Sequence, residues 1–204
     1  LLIPSVLLNI YYFINAKQNT GISVVEVLDG DTILLEQKTR FRLRQIDAPE
    51  LQNCGGLAAK NELTKLVKNK KIKIEEQILD TWGRPMGLIY VDSVLVNQKM
   101  LESGWVRYHH DKTSQTKILS EIGVSVKAAK KGIFSEMCRQ TENTEQPKCN
   151  IKGNIDPQGG VKRYYYPGCA QYQFAIVEKD LGEKWFCSIA EAEKAGYVRA
   201  ATCR

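Results

Sequence analysis

Of 204 residues, 29 are Lys or Arg and 23 are Asp or Glu, which leaves a net charge of +6. A hydrophobic share of 43% with 25% charged side chains is that of a folded chain, so wholesale disorder and collagen-like repeats are excluded. The basicity is spread along the chain, without a polybasic tail or an acidic block, and leans only weakly towards polyanionic partners.

The first sixteen residues, LLIPSVLLNIYYFINA, carry no charge, and Lys17 is the first ionisable side chain. The run is shorter than the ~18–20 apolar residues of a membrane span and has the length of a signal-peptide core. Residues 1–16 are therefore expected to be an export signal, with an uncleaved membrane anchor as the alternative. Six cysteines (Cys54, Cys138, Cys149, Cys169, Cys187, Cys203) are even in number and contain no C-x-x-C. In an exported chain they read as a disulfide set. Cys54 and Cys138 are the only two before a polar stretch at 140–148, so pairing them keeps each part of the chain self-contained.

Residues 22–28 read as a strand that turns at Asp29-Gly30, and 33–35 and 41–46 follow as strands. Ala59, Leu63, Leu66 and Val67 recur at helical spacing, which predicts a helix over 57–67 packed on a sheet. The alternation over 71–78 predicts a strand with Ile72, Ile74 and Ile78 inward and Lys71 and Lys73 outward. Strands at 87–91 and 94–96 form a hairpin over Asp92-Ser93, and a short helix from Asn97 holds Met100 and Leu101. A longer helix is expected to present Ile118, Ile122, Val126 and Ala129, with Gly132 just past its end. Five strands with about three helices suit a small closed barrel of the oligonucleotide-binding type, though the pattern alone does not select it.

The polar stretch 140–148, with Pro147, reads as a linker between a unit at 22–139 and a smaller one at 149–204. The second unit offers strands at 161–166 and 183–187 and a helix at 188–195. Ser188 and Glu191 form a capping box, and Gly196 supplies the stop. So small a unit buries little apolar surface, so a disulfide-stabilised ββα module is expected.

Charge is concentrated in D-G-D-T at 29–32, R-L-R-Q-I-D-A-P-E at 42–50 and D-T-W-G-R at 80–84. Asp47 and Glu50 lie three residues apart where Pro49 must take the chain out of the sheet. Asp31 and Asp47 can converge, and two carboxylates with a backbone carbonyl are the oxygen donors a hard divalent cation prefers. Arg42 stands five residues before Asp47, which by strict alternation puts it on the opposite face. Only a bulge or strong twist brings both into one site. His109-His110 has no carboxylate or cysteine at ligand spacing, and no P-loop, G-x-S-x-G or H-E-x-x-H occurs. Each element alone has an ordinary structural reading: D-G-D as a turn, a strand arginine as a surface residue, Lys68 to Lys73 as a solvated face.

In this order, however, the stretches LDGDT (28–32), FRLRQIDAPE (41–50), DTWGRPMG (80–87), Val96-Asn97, LESGW (101–105) and AKKGIF (129–134) resemble the staphylococcal thermonuclease family. The resemblance covers about 23–136. It implies an oligonucleotide-binding Greek-key barrel and Ca²⁺-dependent hydrolysis of DNA and RNA, single-stranded or as flexible duplex. It further implies that Asp31, Asp47 and the Ala48 carbonyl hold Ca²⁺, that Glu50 is the general base, and that Arg42 and Arg84 brace the phosphate. No organic cofactor or obligate protein partner is implied, and a monomer is expected. The alternative is a non-catalytic binding or interaction protein on the same barrel.

The C-terminal unit is similar to a module found after such domains in bacterial proteins, through CNIKGNI, YYYPGC, WFCS and EAEKAGYVRA. It also looks distantly like the small metal-binding domain of the methyl-phosphotriester DNA repair protein. That likeness implies a Cys169–Cys203 pair. It does not imply zinc here, because four good ligands do not line up. Of the run Tyr164-Tyr165-Tyr166, burial in the core is expected, with a base-stacking surface as the alternative.

Overall fold

A computed structural model describes residues 21–203, so the leader expected at 1–16 lies outside the described residues. Strands β1 (Ile22–Val27), β2 (Thr32–Leu35) and β3 (Arg40–Leu43) form an antiparallel meander. A two-residue β4 (Ile46–Asp47) follows, then helix α1 (Gly56–Val67), and then β5 (Lys71–Leu79) and β6 (Pro85–Val91). β1 also pairs with β5, and β5 with β6, both antiparallel. A parallel pairing of β3 with β6, Arg42 opposite Met86, closes the ring. The result is the expected five-stranded barrel, with its lateral edges joined to each other.

β7 (Val94–Leu95) turns back on β6 and leads into α2 (Val96–Ser103); β8 (Arg107–Tyr108) returns to pair with β4, and α3 (Thr116–Ala128) packs outside. One apolar core fills the barrel and the space under α1 and α2. Ile33, Leu43, Leu63, Leu88, Ile89 and Met100 are fully buried. Burying such side chains stabilises by roughly 1.5–3 kcal/mol each, which is what holds a helix as short as α2 against the sheet.

Three local expectations need correction. The strand foreseen at 41–46 is two strands, because Gln45 adopts a left-handed backbone (φ 63°) that breaks the ladder after Leu43. In β5 the inward set ends early. The register shifts between Glu75 and Ile78, with Glu76 at φ 47°, so Ile78 faces solvent while Ile72 is buried. In α3 the buried residue is Leu119; Ile118 is exposed, one position off the face the spacing suggested.

After a 3₁₀ turn at Gly132–Phe134, β9 (Arg139–Gln140) lies at the junction between the first unit and the polar stretch. The chain continues through β10 (Ile151–Ile155), β11 (Lys162–Tyr165), β12 (Val177–Glu178), β13 (Lys184–Phe186), α4 (Ile189–Lys194) and β14 (Val198–Arg199). Here four strands in the order β13-β10-β11-β14, rather than two, support α4. β10 does not alternate in sequence because Gly153 makes room for the Phe186 and Tyr197 rings; a Cβ there would come within 2.7 Å of both. The Ser188 hydroxyl accepts from the Glu191 N–H, the cap expected at α4. Tyr164 is fully buried in the small core, while Tyr165 and Tyr166 are half-buried. The foreseen linker at 140–148 is no free tether at its start, since β9 pairs antiparallel with β12. Disulfides join Cys54 to Cys138, Cys169 to Cys203 and Cys149 to Cys187. The first two pairs are the expected ones.

Candidate active site

The break at Gln45 resolves the tension between Arg42 and Asp47. On one unbroken alternating strand the two side chains would point to opposite faces. With the left-handed residue between them, Arg42 Nη2 reaches Asp47 Oδ1 at 2.5 Å and Arg42 Nη1 reaches Asp31 Oδ1 at 2.7 Å. The break is itself held from below. Gln45 is buried, its amide donating to the Asp111 carbonyl and the Thr116 hydroxyl and its carbonyl oxygen accepting from Thr113. Buried Asn97, at the start of α2, donates to the Arg44 and Gly87 carbonyls and accepts from the Ile89 N–H. Arg44 forks onto both oxygens of Asp111 and onto the Glu76 and Lys112 carbonyls.

Asp31 is the buried member of the site, with 2% of its surface exposed. Besides Arg42 it accepts from the Thr32 hydroxyl (2.9 Å) and the Ala48 N–H (2.8 Å). Burial pushes its carboxyl up from 3.8 to about 7, against the pull of Arg42 and with a further push from Asp29. Asp47, by contrast, is half exposed. Gly30 lets these parts close up: a Cβ at this position would lie 2.4 Å from that of Ala59 on α1 and 2.7 Å from that of Ala48.

Arg84 lies in the turn between β5 and β6. Asp80 shapes that turn by accepting from the N–H groups of Trp82 and Arg84 and from Arg84 Nε at 2.6 Å. The Arg84 guanidinium stacks over exposed Trp82, 5.0 Å from the ring centre. Because β6 runs alongside β3, Arg84 opens onto the same cleft as Arg42. This hollow of about 240 Å³ is also lined by Leu28, Asp29, Thr32 and Arg40. Glu50 does not line it; its side chain is exposed and makes no hydrogen bond or ion pair to a described residue.

Five of the six expected residues are therefore in one neighbourhood, and Glu50 follows on the next loop. Ala48 joins through its N–H to Asp31. Asp29, Arg40, Asp80 and Trp82 belong to the site without having been assigned a role from sequence. Asp80 carried a legible signal, an Asp two residues before Trp82 and four before Arg84, which is an Asx turn in waiting.

The residues fit a hard divalent cation on charge and donor type. Two carboxylates, Asp31 and Asp47, share one guanidinium, and the charge of Asp29 lies beside Asp31. The two that meet on it supply oxygen donors on either side of a position already occupied by positive charge. Among the described residues no cluster of three or more His, Cys, Asp or Glu side chains could hold a metal, so backbone or water must complete any coordination.

The model of the Staphylococcal nuclease homologue family matches residues 40–136. An uncharacterized endonuclease of Escherichia coli is 32% identical over 119 residues, 55% of this chain and 76% of the relative. The micrococcal nuclease of Shigella flexneri is 40% identical over 70 residues, 33% of this chain and 40% of the relative. A probable staphylococcal-like nuclease of Oryza sativa subsp. japonica, CAN3, is 30% identical over 136 residues, 66% of this chain and 33% of the relative. The chain belongs to the staphylococcal nuclease family. It spans 24–33% of the length of three rice relatives it matches.

Proposed function

We propose that the protein is an exported, Ca²⁺-dependent nuclease that hydrolyses phosphodiester bonds in DNA and RNA with little sequence preference. The observation that carries this reading is the meeting of Arg42, Asp31 and Asp47 beside a cleft that Arg40, Arg42 and Arg84 line. Anionic carboxylates and guanidinium groups in one small hollow suit a substrate that is itself anionic and bridged by a cation. Family membership and the nuclease names of the relatives support the reaction class. The three disulfides and the uncharged leader support export.

In this scheme Asp31 and Asp47, with the Ala48 carbonyl, would hold Ca²⁺, which would supply charge neutralisation. Arg42 and Arg84 present planar forks that can each bind two phosphate oxygens and meet the extra charge of a five-coordinate phosphorus. Glu50, without a side-chain partner among the described residues, accepts the proton of the attacking water as the new P–O bond forms and the ester P–O bond breaks, the leaving oxygen taking a proton from solvent. In this reading 22–139 is the nuclease barrel and 149–204 an accessory module.

Cleavage of single-stranded DNA and of RNA by purified protein tests the proposal, with millimolar Ca²⁺ or with excess chelator. Cleavage in Ca²⁺ that disappears in chelator is expected. Equal cleavage in chelator would overturn the metal dependence, and no cleavage in Ca²⁺ by a folded barrel would leave a binding protein.

A further inference from the structure

The loop that carries Glu50 is not held by the barrel alone. The Glu50 carbonyl accepts from the Asn53 N–H at 2.8 Å, and Gly56 packs so tightly that a Cβ there would lie 2.1 Å from that same oxygen. Beyond this turn the loop is tied to the C-terminal unit. Asn53 Nδ2 donates to the Asp180 carbonyl (3.2 Å), and the Cys54 N–H donates to the Lys179 carbonyl (3.3 Å). The Cys54–Cys138 disulfide adds a third tie, since the Cys138 carbonyl accepts from the Lys179 N–H at 2.7 Å.

The same short turn reaches the other side of the site. The Asp180 side chain is 1% exposed and its Oδ2 accepts from Arg107 Nε at 2.7 Å, while Glu178 takes Arg107 Nη2 at 3.2 Å. Arg107 lies on β8, where its partner across the ladder is Asp47. One turn of the C-terminal unit, 178–181, thus touches the loop after Glu50 and the strand that backs Asp47. Asp180 Oδ1 is buried with no hydrogen-bond partner among the described residues. A half-satisfied buried ion pair adds little stability compared with an apolar contact of the same size, but it fixes direction and register.

We propose that Asp180 and Arg107 form a positioning clamp through which the C-terminal unit sets the placement of the Glu50 loop against Asp47. The unit is thereby part of the nuclease site rather than an independent appendage, and the proposal rests on the reading of Glu50 as the base. Neither residue is catalytic; each acts through the segment it holds.

Asp180→Ala and Asn53→Ala in the full chain test the clamp, with melting, steady-state cleavage of a DNA oligonucleotide in Ca²⁺, and amide hydrogen exchange over 51–56. The expected Asp180→Ala protein melts cooperatively above the assay temperature, exchanges faster at 51–56 but not in β5 or β6, and loses kcat about tenfold with KM within about twofold. Asp180→Glu, which keeps the charge, should recover part of that kcat. Asn53→Ala cuts one side-chain hydrogen bond; it carries the same readouts, with a smaller loss, should Asp180→Ala fail to fold. Unchanged exchange at 51–56, or wild-type kcat in folded Asp180→Ala, overturns the clamp. If Glu50→Gln keeps full activity while Asp180→Ala still loosens 51–56, the base assignment fails and the clamp stands.

Discussion

In the proposed scheme Glu50 is the residue on which the chemistry turns, and its surroundings make its role separable from the others. Its side chain is exposed and unpaired among the described residues, so replacing it breaks no ion pair there. Glu50→Gln should lower kcat by roughly 10²–10⁴-fold and leave KM close to the wild-type value, measured by steady-state cleavage of a labelled oligonucleotide. Arg84 is held differently: Nε is taken by Asp80, which leaves the two terminal nitrogens to face the cleft. Arg84→Lys keeps the charge and loses the fork, and should cost turnover roughly 10²-fold with little change in stability. Asp31 has a third role. Asp31→Asn removes a ligand of charge −1, so the Ca²⁺ giving half-maximal activity should rise about tenfold or more, and it leaves one of the donors to Asp31 without an acceptor. A metal titration alongside a melting curve separates these effects.

At the scale of elements, the break between β3 and β4 matters most, because it turns a surface arginine into the centre of the site. The supports of that break can be tested through pH. Asp111 is held below its usual 3.8, chiefly by its hydrogen bonds to Arg44, which is itself 7% exposed. A carboxyl lowered by folding contributes stability that is present above pH 3.8 and lost as pH falls through the folded value. Asp111→Asn should therefore destabilise by about 2 kcal/mol at pH 7, with a difference that shrinks towards pH 3, read from denaturant unfolding across pH. The strands and helices of the barrel were legible from alternation and turn chemistry, and its motif residues through the family resemblance. The Arg42–Asp47 contact was not, because no local signal makes Gln45 rather than a glycine take φ 63°. Its cause lies in hydrogen bonds to Asp111, Thr113 and Thr116, more than 65 positions away. β10 and the β9–β12 pair were missed for a related reason: two-residue strands and a strand containing Gly153 and Asn154 carry no alternation to read.

At the scale of the molecule, the barrel and the C-terminal unit are joined by the β9–β12 pairing and by an ionic group of Arg107, Arg139, Glu178 and Asp180. The Cys54–Cys138 bond spans 84 positions and runs beside this junction. Replacing both cysteines by serine should lower stability by about 4 kcal/mol in the chain-entropy account, with the loss seen in urea unfolding of the oxidised protein. The same change should leave the Cys149–Cys187 and Cys169–Cys203 bonds intact, as peptide mapping without reduction would show. Their loops close within the C-terminal unit, over 38 and 34 positions.

The placing of the cysteines also bears on the order of events as the chain is made. Cys54 emerges first, and its partner follows only after 84 more residues have been added. At about 5–20 residues per second this is roughly 4–17 s in which one thiol has no native mate. Once Cys138 appears, Cys149 follows eleven residues later, and Cys169, Cys187 and Cys203 come after it. Wrong pairings therefore become available almost as soon as the right one does. The barrel lowers that hazard if it folds early, since Cys54 then already sits against Ile133 and Cys138 in a small apolar cluster while Cys149 and its neighbours are still tethered further along.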